Sequence, residues 1–181
     1  NISGARGTRF SVVRYGNVVG SRGSVVPYFR QLLKEGLTKL PITHPDMTRF
    51  WIPLSQGVDF VISNFGRMQG GEIFVPKIPS VRIVDLVEAM SGSKDYDVIG
   101  IRPGEKMHEI MVPEEMARHT LEFDDHYVIT PAIKFFDKTL RYDKNKLGEK
   151  GTQVADDFEY HSGTNPDFLS VEALKELDKS T

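Results

Sequence analysis

Residues 10–34, FSVVRYGNVVGSRGSVVPYFRQLLK, decide the reading of this chain. Phe10 to Tyr15 is a β-branched and aromatic run that Gly16 ends, which is the pattern of a strand. Val25 to Lys34 carries apolar residues at helical spacing. Pro27 falls in its first turn, where a missing N–H is tolerated, and Gly36 is the stop. Between the two, Gly16-x-x-x-Gly20-x-x-Gly23 makes a strand–loop–helix joint where a ligand can approach bare backbone. A dinucleotide fingerprint standing alone needs an acidic residue about 20 positions on, at a strand end, for the ribose. Asp46 lies near that distance, but in a loop between Pro45 and Met47. The joint therefore reads as a ligand-approach loop at the end of one strand.

The alternation continues outward. Leu40 to Thr43 and Arg49 to Pro53 read as short extended segments. Ser55 caps a helix through about Phe65, with Val58, Val61, Ile62 and Phe65 on one face. Gly70 and Gly71 lead into a strand, Glu72 to Pro76. Val84 to Met90 is a helix closed near Gly92, Tyr96 to Ile101 a strand, and Glu105 to Met111 a helix with Pro113 beyond. Tyr127 to Thr130 is a strand, Asp137 to Glu149 a charged surface stretch, and Ser170 caps a final helix to Lys179. Strands alternating with helices make the class α/β.

With 181 residues the chain can bury one sizeable core. A net charge of -2 excludes a basic field for nucleic acid or an anionic membrane surface. Zero cysteines exclude disulfides, thiolate metal sites and a cysteine nucleophile. No apolar run approaches the roughly 20 residues of a membrane span, and no signal peptide precedes the first strand. The expectation is a cytoplasmic protein. The polar lead Asn1 to Thr8, without an initiator Met, runs straight into a strand, as in a piece of a longer protein.

Against that balanced charge, three arginines stand at points where the backbone turns: Arg22 in the glycine joint, Arg49 in MTRFW (47–51) and Arg102 in IRPGEK (101–106). A guanidinium fork matches phosphate bidentately, so three such points suggest one pocket for a dianion such as a nucleotide pyrophosphate. Pro103 and Gly104 fix a turn, and Glu105 opens the next helix, where it could accept from a ribose diol. Tyr142 and Lys146 match a catalytic Tyr-x-x-x-Lys spacing, but within a charged, weakly periodic run that reads as surface. The five histidines show no metal-ligand spacing, and the adjacent pairs Asp124–Asp125 and Asp156–Asp157 point apart and read as surface.

Taken in order, residues 14–24, 47–52, GEIFVPK (71–77) and 101–106 closely resemble the inverting UDP-N-acetylglucosamine 4,6-dehydratases, and DFEY (157–160) resembles them too. These are extended short-chain dehydrogenase/reductases that open the pseudaminic acid pathway. The resemblance implies the last strands of an NAD(P)-binding Rossmann fold plus the small C-terminal substrate-binding domain. It implies NADP, a UDP-sugar substrate and a homo-oligomer. The implied reaction oxidises the sugar at C4, eliminates water across C5 and C6, and returns hydride to C6. By motif, Asn17, Val25, Lys39, Arg49, Arg102 and Glu105 resemble substrate contacts. Val18, Val19, Gly20, Ser21 and Arg22 resemble the segment at the nicotinamide end of the cofactor. The family's catalytic residues and Gly-rich loop lie upstream of the strand that here begins at Phe10, with nine residues before it. The expectation is a carboxy-terminal portion without catalytic residues of its own. A non-catalytic nucleotide-sugar-binding or assembly module, and a related UDP-sugar 4-epimerase, are the alternatives.

Overall fold

A computed structural model describes residues 7–133 and 140–179. The lead up to Arg6, and Asp137 to Thr139 of the charged stretch, lie outside them. The order is β1 (Val12–Val13), β2 (Asn17–Val18), α1 (Val25–Lys34), β3 (Leu40–Ile42), β4 (Thr48–Ile52), α2 (Leu54–Arg67), β5 (Ile73–Pro76), β6 (Ser80–Arg82) and α3 (Ile83–Ser91). Then follow β7 (Tyr96–Val98), β8 (Ile110–Val112), a 3-10 turn (Glu114–His119), β9 (Thr120–Glu122), β10 (His126–Ile129), β11 (Thr152–Gln153), β12 (Tyr160–His161) and α4 (Val171–Lys179). The class is mixed α/β. Two compact units share the chain: residues 1–15, 55–77 and 110–160 form one, and residues 16–54, 78–109 and 161–181 the other.

The first unit is built on a five-stranded sheet in the order β1-β5-β10-β9-β11. Val12 and Val13 pair in parallel with Ile73 and Phe74, while β10 runs antiparallel to both its neighbours. Phe60, Phe74, Phe123 and Val128 form its core. Here α2 corrects the sequence reading twice. The helix starts one residue before Ser55, so Ser55 is not its cap. The expected inner face is largely the outer one: Val58 is exposed, Ile62 is 61% and Phe65 71% exposed, and Gly57, Phe60, Asn64 and Arg67 are buried instead. Leu54, at the same helical spacing, extends the exposed apolar stripe.

The second unit holds the larger apolar cluster, with Val26, Phe29, Leu40, Ile42, Met47, Trp51, Val81, Leu86, Val87 and Leu174 buried. α1 turns Val26 and Phe29 inward, one helical turn apart. Full burial of a side chain such as Phe29 stabilises by about 1.5–3 kcal/mol, and truncating it would open the cluster. α3 ends at Gly92, whose φ of 73° supplies the left-handed cap that the sequence reading placed there. β4 is the organising strand, with β2 parallel on one side and β6 antiparallel on the other. Gly16 enters β2 so close to β4 that a Cβ would collide with Phe50. Arg30 ties α1 to α4 through Asp178, with two guanidinium nitrogens on one carboxylate oxygen at 2.7 and 3.1 Å.

The expected strands are shorter than the runs that announced them: Phe10 to Tyr15 gives only Val12–Val13, and Tyr96 to Ile101 only Tyr96–Val98. The expected helix from Glu105 to Met111 does not form. Its residues make a turn, bends and the start of β8. Their backbone groups are claimed elsewhere: the Met107 carbonyl accepts from the Thr48 N–H and the Glu109 carbonyl from the Ser162 N–H. These carbonyls serve distant partners instead of the i+4 amides of a helix.

Candidate functional site

A cleft of about 710 Å³ opens in the second unit, walled by the β2–α1 joint, β4, the segment after β3 and the Arg102–Glu105 turn. Of the residues singled out from sequence, Asn17, Val18, Val25, Arg49, Arg102 and Glu105 line it together. Val19, Gly20, Ser21, Arg22 and Lys39 do not. Ser21, Arg22 and Lys39 are exposed instead, in the joint and before β3. Sequence reasoning missed Ser24, Tyr28, Thr43 and Trp51, which share the wall. Thr43 and Trp51 lie within quoted segments, but nothing in their residue types marks them as ligand-facing.

Arg49 enters the cleft from β4 with its guanidinium fixed by backbone. Its Nη1 donates to the Thr48 carbonyl at 2.7 Å and the Met107 carbonyl at 3.1 Å, and Nη2 lies 3.2 Å from Met47 Sδ. Glu109 Oε1 stands 3.7 Å from Nε. Burial pushes the Arg49 pKa down, and Glu109 and Glu105 push it back up. The guanidinium stays charged, since arginine starts far above neutral pH. It is therefore a preset cation in a partly dry wall, worth more to an anion than a cation in bulk water.

Arg102 is exposed at the mouth, on a turn that the sequence writes directly. Glu105 N–H donates to the Arg102 carbonyl at 3.0 Å, with Pro103 and Gly104 at the corners and a Gly104 φ of 82°. That is the geometry of a type II turn, which requires glycine at its third position. The Glu105 carboxylate returns to accept from the Arg102 N–H and the Thr43 hydroxyl, both at 3.2 Å. Glu105 thus braces its own turn against β3 rather than opening a helix.

Another part of the wall is the start of α1. The Ser24 hydroxyl, at the N-cap position, makes no capping bond and is buried without a partner among the described residues. A helix start offers unpaired N–H groups and the positive end of its dipole. Two arginines, an orphaned hydroxyl and a helix N-terminus around one cleft can hold an anion with several oxygens.

Elsewhere, Tyr142 is buried, with its hydroxyl donating to the Gly70 carbonyl at 2.8 Å, and sits in a loop rather than on a helix with Lys146. Asp125 corrects the reading of the Asp124–Asp125 pair as plain surface: it bonds Arg67 at 3.0 Å and His126 Nδ1 at 2.6 Å. No helix among the described residues is long and apolar enough to cross a membrane.

Comparison with known proteins agrees with this architecture. The chain is 54% identical over its full length to the UDP-N-acetylglucosamine 4,6-dehydratase (inverting) of Campylobacter jejuni subsp. jejuni serotype O:2, of which it covers 54%. It is 38% identical to the UDP-glucose 4-epimerase of Rickettsia canadensis, covering 94% of this chain and 49% of that protein. The X-ray structure of Pen from Bacillus thuringiensis superposes with a TM-score of 0.76 at 30% identity, over 96% of this chain and 50% of that one. The chain thus spans about half the length of the curated relatives it matches. Residues 1–131 match the model of the polysaccharide biosynthesis protein family, to which this chain belongs.

Proposed function

We propose that this chain is the part of an inverting UDP-N-acetylglucosamine 4,6-dehydratase that holds the nucleotide sugar. The observation carrying this reading is the cleft in which Arg49 and Arg102, 53 positions apart in sequence, meet the N-terminus of α1. The name of the 54% identical relative supplies the substrate and the reaction class. In this reading the diphosphate lies between the two guanidinium groups and the α1 N-terminus, with Ser24 donating its free hydroxyl. Glu105 keeps the Arg102 turn in place, Asn17 borders the sugar, and Val18 stands at the nicotinamide end of the cofactor.

NADP is the cofactor of the complete enzyme in this reading. Arg22, exposed on the β2–α1 joint and with no ion-pair partner among the described residues, suits a cofactor bearing extra phosphate. When bound, NADP would accept hydride from the sugar C4 and return it to C6 after water is lost. In this reading the residues of this chain bind and orient, and the proton transfers fall to the rest of the complete enzyme. A cytoplasmic homo-oligomer serving pseudaminic acid synthesis completes the proposal.

Calorimetry with UDP-N-acetylglucosamine tests it. The chain should bind the ligand without producing a 4-keto-6-deoxy sugar when NADP is added. Arg102→Ala should weaken binding roughly ten- to hundredfold, equivalent to about 1.5–3 kcal/mol for a charged hydrogen bond. An unchanged affinity removes Arg102 from the site, and turnover removes the idea that this chain only binds. The epimerase relative favours a second reading, in which the complete enzyme forms a C4 epimer; product analysis separates the two.

A further inference from the structure

Behind Arg49, on the other side of β4, two histidines distant in sequence come together. The rings of His108 and His161 lie 4.7 Å apart, tilted by 56°. Gly163 makes room for them, since a Cβ there would lie 2.7 Å from His108 Nδ1 and 2.8 Å from His161 Cε1. His108 and Gly163 border a second cavity of about 670 Å³, whose wall includes Asp46, Thr48, Arg82, Asp85, Glu88 and Lys94.

A hydrogen-bond chain runs from this pair to the guanidinium. The Glu109 N–H donates to the Ser162 hydroxyl at 2.9 Å. Ser162 Oγ lies 2.7 Å from Thr48 Oγ1, which lies 2.8 Å from His108 Nδ1. With a lone pair on Nδ1 every group has a role: Ser162 donates to Thr48, and Thr48 donates to His108. The same segments hold Arg49, for its Nη1 rests on the carbonyls of Thr48 and Met107 and its Nε faces Glu109.

A proton on Nδ1 reverses this order. Thr48 must then accept from His108, and it either donates to Ser162, which already accepts from Glu109, or accepts from Ser162 as well. Either way one of the two hydroxyl protons loses its acceptor in this chain of bonds, at residues only 0% and 5% exposed. The new charge also faces His161 and Arg49, with Asp46 as the opposing charge. Burial first, then His161 and Arg49, push the His108 pKa below its ordinary value, against Asp46.

We infer that His108 is a positioning residue: its imidazole, accepting from Thr48, anchors the network that aims Arg49 into the anion cleft. Acidification therefore loosens the hold on the nucleotide sugar. This rests on the proposed function for its ligand, but not for its network.

The test measures affinity for UDP-N-acetylglucosamine at about pH 7.5 and about pH 5.5. A diphosphate diester has no proton to gain in that range, so the ligand contributes no slope of its own. The wild-type chain should bind roughly tenfold more weakly at the lower pH. His108→Asn, whose side-chain oxygen can accept from Thr48 without titrating, should lose most of that ratio. An equal ratio in the variant, or no ratio in the wild type, overturns the inference. NMR of the Arg49 Nε–H reads the network without ligand: its shift should follow the His108 titration in the wild type and stay still in His108→Asn. If the sugar nucleotide fails to bind at any pH while that resonance behaves as stated, the functional reading fails and the positioning role stands. If the resonance ignores pH in the wild type, the positioning role fails.

Discussion

His126 has 0% exposure and three phenyl rings around it, stacked on Phe123 at 4.7 Å with planes 10° apart, and near Phe74 and Phe60. Its Nδ1 meets Asp125, and its Nε2 is buried without a partner among the described residues. Burial pushes its pKa down more strongly than Asp125 pushes it up. A protonated ring would carry charge and an unpaired N–H into an aromatic box, so the folded state resists the proton that the unfolded chain accepts near pH 6.5. The stability tied to neutral His126 is complete above that value and is lost as pH falls towards its lower folded pKa. Urea midpoints should therefore drop between about pH 7 and about pH 5, and His126→Gln should flatten that slope. An undiminished slope in the variant would assign the loss to other groups. The carboxylates around Arg67 act at lower pH. Burial raises Asp125, but bonds to His126 and Arg67 outweigh it, and Glu149 is lowered chiefly by its bond to Arg67. Their contribution disappears only below the ordinary carboxylate range, a separable window.

Elements were legible where a local signal sufficed. α1 occupies the expected residues, Gly92 stops α3, and Ser170 caps α4, its Oγ accepting the Ala173 N–H at 3.2 Å. Ser170→Ala should cost about 1 kcal/mol, visible in thermal unfolding, because α4 holds Leu174 in the core of its unit. Ser170→Asp should restore most of the loss; failure to do so would mean the hydroxyl acts elsewhere. The segment after Glu105 was misread because its fate is decided by distant partners: Thr48, Arg49 and Ser162 take its carbonyls and amides. The α2 face was misread for a related reason. Periodicity marks a stripe as apolar, but it cannot say whether that stripe meets a partner. Six of the eleven candidate site residues share one cleft because turn chemistry and arginine placement are written locally. Ser24 and the histidine pair were not legible, since their meaning lies in a missing bond and in a meeting across 53 positions.

At the scale of the molecule, each unit is assembled from three separate stretches of chain, so neither can be excised as a continuous fragment. The exposed line of Leu54, Val58, Ile62 and Phe65 is longer than the isolated apolar residues that ordinary surfaces carry. Among the described residues β1 stands at the end of its sheet with Val12 exposed, an open edge in the unit that holds Val58, Ile62 and Phe65. The chain should self-associate with rising concentration, and Ile62→Lys with Phe65→Lys should shift its elution in size-exclusion chromatography towards the monomer. An unaltered profile would absolve the stripe. The practical corollary concerns solvent choice. Ammonium sulfate, which is excluded from greasy surface, should bring this polypeptide out of solution early, whereas a mild nonionic detergent should keep it dispersed. The cleft makes the opposite demand of any assay, because concentrated salt competes for its guanidinium groups. Binding is therefore best measured in dilute buffer with detergent.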